Sequence, residues 1–557
     1  MGDAINLSWA SIRALAPALL LACGGGGRAT GATASERGDA SSGPAARPRG
    51  AALSISCGAA TQRRFDRGFF LLHNMMYSQA RTELEAAIQE DGRCAMLHWG
   101  VAMSWFQPLW SGQPTEQALQ SGSDAIDRAR SLGGGEADRA YIAAAARYYE
   151  DWKKKDTTAR LKSWEAGQRE LASRYPDDVE AQAFWALSLL ATADKHDRTY
   201  ARQSRAAGSL EKLLRLRPEH PGLMHYLIHA YDNPAHAHHG AHMARQYGAI
   251  APQAPHALHM PSHIHVRLGN WDDVIEWNQK SARAAREQPA DGRVSRDFLH
   301  AMDYLTYGYL QKGDDRRARE AVATIDDPSV QYEPNNGPAS YALAATPARY
   351  AIERGEWSEA AALPVRHVPY SWDRFPWAEA VTHAARALGA ARTGKAKQAR
   401  RSLAEMERLL LLVESTWWKE RIAIDRDVVQ AWLAHGAGDA VKAVDLMSAA
   451  ATREIAAGKD SAEPGHVIGA AEQLGTLLLE LKRPREALEA FRTALGDSPG
   501  RFNALHGAGM AAEAAGMEAE ASAYYADLVA RCAGDTTRAA YQHARAYVVR
   551  TGQAPSR

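Results

Sequence analysis

Residues 221–286 read PGLMHYLIHAYDNPAHAHHGAHMARQYGAIAPQAPHALHMPSHIHVRLGNWDDVIEWNQKSARAAR, and their reading decides the fold. Shifted against itself by 34 residues, the stretch places His225 on His259 and His229 on His263. Each pair is spaced i, i+4, which on an α-helix sets both side chains on one face, about 40° apart around the axis. A period of this length, with one helical hairpin per period, is the mark of a helical-repeat solenoid. The repeated H-x-x-x-H is the most informative chemical feature of the chain.

Working outward, 557 residues exceed what one hydrophobic core can organise, so the chain is either multidomain or a repeat array. Alanine is abundant and β-branched residues are sparse, which suits closely packed helices. With 66 basic against 65 acidic residues there is no global field to attract nucleic acid. The expectation is an all-α fold, an α-solenoid of stacked helical hairpins. A turn signal of Gly followed by an aromatic residue and then a small one recurs at Gly355-Glu356-Trp357 with Ala360, and at Gly269-Asn270-Trp271 with Val274. Similar turns at Gly313, Gly394 and Gly438 bring the expected number of hairpins to roughly ten. Small residues let the two helices of a hairpin approach to about 8–10 Å, and bulky ones such as Phe491 and Tyr525 fill what remains.

Residues 1–23 read as an export signal: Arg13, the short apolar run Ala14–Ala22, then Cys23 at once. That run is far too short to span a bilayer. Leu20-Leu21-Ala22-Cys23 resembles a bacterial lipobox, which implies acylation of Cys23 and an extracytoplasmic, membrane-tethered protein. An uncleaved N-terminus is the alternative. Residues 24–60, rich in Gly, Ala, Ser and Arg, are expected to form a flexible linker. Two solenoid halves, 61–325 and 326–557, would follow, with 325–340 as their joint and loop insertions at 107–136 and 191–200. The four cysteines contain no C-x-x-C, which argues against a thiolate zinc site and leaves a disulfide among Cys57, Cys94 and Cys532 open.

FDRGFFLLHNMMYSQA, CAMLHWGVAMSWFQPLW, HPGLMHYLIHAYD, APHALHMPSHIHVRLGNWDDV and PGRFNALHGAGMAAEAAG, spread over residues 65–528, resemble the bacterial tetratricopeptide-repeat (TPR) proteins. The resemblance is narrower to a long subfamily with the HALHMPSHI element, which itself implies little about activity. Proteins of the TPR kind are similar in binding protein or peptide segments in a concave groove lined by the first helix of each hairpin. By that phasing His225, His229, His259 and His263 face the groove, and the next hairpin adds His300, Asp303 and Tyr307. His73, Glu472 and His506 are expected on the same face, as partner contacts or as solvated residues.

The expected metal ligands are His225, His229, His259, His263 and Asp303, with Asp232 orienting a ligand from behind. Neutral imidazoles suit a transition metal such as Zn, Cu or Fe. Histidines so placed could equally receive a partner's carboxylates or act as a pH switch. H-E-x-x-H is absent, so zinc-protease chemistry has no support. The run His236, His238, His239 and His242 reads as an exposed turn able to bind metal weakly and adventitiously, and Trp99, Trp105, Trp110, Trp372 and Trp377 as core or peptide anchors. No G-x-S-x-G, P-loop or dinucleotide fingerprint occurs. The functional expectation is a tethered scaffold binding protein or peptide in its groove. The alternative is a metal-dependent enzyme, oxidative or hydrolytic on a peptide-like substrate, built on the histidine ladder.

Overall fold

The computed structural model describes residues 50, 52–109, 114–287, 292–327, 329–334, 336–365, 372–532 and 536–552, all within the compact unit Arg47–Arg557. The expected signal segment, most of the linker and Trp110 lie outside the described residues.

The fold is all-α, an α-solenoid of stacked TPR-like hairpins. The first five pair α1 (Ala59–His73) with α2 (Tyr77–Glu90), α3 (Ala95–Trp105) with α4 (Glu116–Leu132), and α5 (Glu136–Tyr149) with α6 (Thr157–Arg174). They continue with α7 (Val179–Ala191) and α8 (Ala201–Leu216), then α9 (Pro221–Tyr231) and α10 (Ala237–Ile250). In the sixth the first helix is split into α11 (Pro255–His259) and α12 (Pro261–Leu268), ahead of α13 (Trp271–Glu287). Then come α14 (Asp297–Gln311) with α15 (Asp315–Ile325), α16 (Gly337–Ile352) with α17 (Trp357–Ala362), and α18 (Pro376–Arg392) with α19 (Ala396–Leu410). The array ends with α20 (Thr416–Gly436) and α21 (Ala440–Ala457), α22 (Ala470–Glu480) and α23 (Pro484–Asp497), α24 (Phe502–Ala514) and α25 (Glu518–Arg531), and a last helix α26 (Ala539–Thr551). That makes twelve hairpins among the described residues, not ten. The difference arises where degenerate repeats hide. The stretch 107–136, expected to be an inserted loop, contains α4, whose buried Leu119, Gly122, Ile126 and Ala129 recur at helical spacing.

Local chemistry explains the hairpins. Gly269, Gly313, Gly355, Gly394, Gly438 and Gly516 stop helices in the left-handed region, with φ between 66° and 84°, where a Cβ would be strained. Asp156, Asp178, Asp314 and Asp439 cap the helices that follow them with their carboxylates. Phe491 fills the seam between two hairpins so closely that a Cβ on Gly475 or Gly507 would lie 2.7 or 2.3 Å from its ring. The apolar core falls into two main clusters, one from Leu53 to Ile264 and one from Ala282 to Val548.

Two features depart from the sequence reading and bear on the site. The end of the expected linker is docked rather than flexible: Leu53 and Ile55 are buried, and the amides of Ala52 and Ser56 donate to Glu180 and Asp138. A Cys57–Cys94 disulfide pins this segment to the start of α3. Second, the connection between α21 and α22, residues 458–469, turns inward and crosses the first helices of earlier hairpins. Asp460, Ala462, Glu463, Val467 and Ile468 are buried there. Tyr304 donates to the Glu463 carbonyl (3.1 Å), Tyr341 to its carboxylate (3.0 Å), and Arg349 to the His466 carbonyl (3.3 Å).

Candidate metal centre

His225 and His229 stand on α9, His256 and His259 on α11, His263 on α12 and His300 on α14. Pro221 opens α9 at its first turn, and the ring of His220 accepts from the Leu223 amide to cap it. Pro261 interrupts the α11–α12 helix at Met260, and His259 and His263 flank that break. The 34-residue repeat therefore does what its spacing promised: His225, His229, His259 and His263 converge, and His300 joins them. His225, His259, His263 and His300 are buried; His229 is partly exposed as a residue, though its Nε2 is enclosed.

Two trios result. The ligand nitrogens of His225, His229 and His256 all lie within 4.8 Å of one another, and so do those of His259, His263 and His300. His256 was missed by the sequence reading, although it sits three residues before His259 on the same short helix.

The hydrogen bonds behind the rings decide which nitrogens face inward. Asn278 donates through its Nδ2 to the Val274 carbonyl, so its Oδ1 faces His259 and accepts from Nδ1 at 2.7 Å. His263 Nδ1 donates to Asp232 Oδ2 at 2.9 Å. His225 Nδ1 donates to the carbonyl of His73 at 2.7 Å. With each Nδ1 proton so committed, the neutral ring presents a lone pair at Nε2. Yet His259 Nε2 and His263 Nε2 face one another at 3.0 Å, and His225 Nε2 lies 3.2 Å from His256 Nε2. The facing lone pairs of His259 and His263 repel, and a cation between them or a proton on one ring relieves this. Burial and the neighbouring imidazoles hold His259 well below the usual imidazole range, and burial lowers His263 despite Asp232 beside it. The enclosed Nε2 of His229 and Nδ1 of His300 have no hydrogen-bond partner among the described residues. Against the cluster lies a cavity lined by Met75, Leu109, His229, His256, His263, His300 and Ser461. It has room for about one water-sized occupant.

Asp232 anchors the back wall. It accepts from Arg267 Nε at 2.9 Å and pairs with Lys459 at 3.2 Å, besides holding His263. Burial opposes its charge, but Lys459 and Arg267 outweigh that and keep its carboxyl well below the usual range. Lys459 belongs to the inward-turned connection, so residues 458–469 close the hollow over the histidines.

Asp303 joins neither histidine trio. Its carboxylate, fully buried, is taken by Arg349 on α16 (3.2 Å), so it stands in a separate charge network. His73 is no solvated groove residue either: it is buried between Glu180 (2.9 Å) and Tyr226 (3.0 Å), and His220 donates to the same glutamate at 2.9 Å. Burial disfavours the Glu180 charge, and the two flanking histidines more than compensate, holding its carboxyl low. His73, Glu180 and His220 gather their ligand atoms within 4.8 Å of one another as a third such group, and this group stands behind His225, which it holds through the His73 carbonyl. Glu472 is likewise buried, in an ion pair with Arg501 at 3.0 Å, while His506 is half-buried. His238, His239 and His242 are exposed on α10 rather than in a turn. Trp99, Trp372 and Trp377 are buried in the core.

No family model matches the sequence, and no curated protein does. Among solved structures, the human IFIT1 dimer with m7Gppp-AAAA overlaps at 13% identity, covering 83% of this chain and 94% of that one, with a TM-score of 0.38. The APC/C hetero-tetramer Cut9–Hcn1 overlaps at 12% identity, covering 81% and 76%, with a TM-score of 0.34. Overlaps this loose carry no argument about what this chain binds.

Proposed function

We propose that this chain is a helical-repeat protein whose enclosed hollow holds a histidine-ligated transition-metal ion, on His259, His263 and His300. One observation carries the reading: two imidazole Nε2 atoms face each other at 3.0 Å while both Nδ1 protons are committed to Asn278 and Asp232. Such second-shell bonds orient and strengthen imidazole ligands. Three histidines leave a coordination position for water or a small ligand, and the cavity beside His263 and His300 has that size. A peptide bond would not fit there without displacing residues 458–469.

The peptide-binding expectation keeps one specific support. The hollow already receives an irregular segment of turns and bends, 458–469, through the Tyr304, Tyr341 and Arg349 hydrogen bonds, so a partner's segment would compete with this one. The proposal also keeps the tether: acylation at Cys23 would place the body outside the cytoplasm. The Cys57–Cys94 disulfide is in keeping with that oxidising compartment. Among the described residues no helix is long and apolar enough to cross a membrane.

The test is elemental analysis of protein purified without a histidine tag, beside the double variant His259→Ala, His263→Ala. Near-stoichiometric zinc, copper or iron, lost in the variant, is expected. Metal-free protein that stays metal-free after incubation with each ion sinks the reading.

A further inference from the structure

The second trio has a chemistry of its own. His225, His229 and His256 share no residue with the first set and come from α9 and α11. Their nitrogens are as tightly gathered, within 4.8 Å. His225 turns its Nε2 inward because the His73 carbonyl holds its Nδ1 proton, and the enclosed His229 Nε2 has no hydrogen-bond partner among the described residues. The two trios are also neighbours. Ring centroids of His229 and His263 lie 6.1 Å apart, and those of His256 and His259 6.3 Å. The cavity between them is lined by His229 and His256 from one trio and by His263 and His300 from the other.

We propose that the hollow binds two transition-metal ions, the second on His225, His229 and His256, with a single water-sized oxygen ligand between them. The inference rests on the metal reading above. Three further observations narrow the ion. All six ligands are imidazoles and none is a carboxylate, a donor set that suits copper or zinc and not magnesium or calcium. Copper stands highest in affinity for such nitrogens among the divalent ions. Met75, a residue with a soft thioether, is among the residues that line the same cavity, and its backbone is held in the left-handed region (φ 54°). A non-glycine residue there stores strain of the kind that gathers at functional sites.

Full-length, metal-free protein would be titrated with Cu(II) alone and with Zn(II) alone, and bound metal counted per chain after desalting. Two ions per chain are expected, falling to one in His225→Ala, His229→Ala. One ion per chain in the unaltered protein overturns the pair and leaves the single centre standing; none overturns both. Where the double variant fails to fold, the unaltered protein still decides. Two Cu(II) ions sharing an oxygen ligand couple magnetically, so its spin count should fall at least five-fold below its copper content. A spin count equal to the copper content overturns the shared-ligand pair.

Discussion

Asp232→Asn is the most searching single change, because it separates the support of the centre from the centre itself. The amide keeps the size of the side chain and an oxygen for Arg267, but removes the charge that both Arg267 and Lys459 face at 2.9 and 3.2 Å. Both cations are buried with it. Breaking a buried ion pair from one side costs about 3–5 kcal/mol, since the partner charges stay desolvated. Metal affinity should fall by about 10–100-fold, as His263 loses the carboxylate that holds its Nδ1 proton. Urea unfolding followed by tryptophan fluorescence, in metal-free and metal-loaded protein, reads both effects. Adding Lys459→Met to the variant removes one stranded cation and should return about 2 kcal/mol of stability without restoring the affinity. The acid side offers a check on sign. The folded carboxyl of Asp232 lies below its unfolded value, so its contribution is present above about pH 4 and fades as the pH falls further. The gap between wild-type and variant stabilities should then narrow progressively as the pH falls below about 4. A loss of less than 1 kcal/mol at neutral pH, with unchanged metal affinity, refutes the reasoning.

Other consequences are independent of that one. Gly222→Ala would set a Cβ 2.1 Å from His73 Nδ1, a ring already held by Glu180 and Tyr226; overpacking of about 1–3 kcal/mol should lower the melting temperature, and an unchanged melt refutes the fit. Cys57→Ser removes a cross-link across 37 residues, expected to cost about 4 kcal/mol by loop entropy and to expose the 52–58 segment to protease; equal protease resistance in both forms counts against it. Glu463 anchors the inward connection: burial opposes its charge, but His466 and Arg421 bring its carboxyl down to about 2. Its contribution, about 3 kcal/mol, is complete above the ordinary carboxylate value and is lost as pH falls from about 4.5 to 2. Hydrogen exchange at residues 459–468 should rise over that window, and Glu463→Gln should abolish the pH dependence.

The 34-residue recurrence was enough to read the helical hairpins and the meeting of His225, His229, His259 and His263, because stacked repeats keep a common phase. His300 followed from the phase of the next hairpin. His256 did not, since it lies outside the repeated pair, yet its i, i+3 relation to His259 was visible and would have found it. Asp303 shows where phase stops being informative. It lies one helical turn from His300, but Arg349 on the neighbouring hairpin claims its carboxylate, and no spacing within one helix reveals a cross-repeat ion pair. The largest gap concerned the hollow itself, which reads as an open groove in the amino-acid pattern. In the folded chain residues 458–469 return across more than two hundred positions to pair Lys459 with Asp232, and that closure is stabilised only by contacts between distant repeats. Local periodicity encodes helices and the faces they present. Which face is then covered depends on long-range burial and charge pairing, and only the folded arrangement of the repeats decides that.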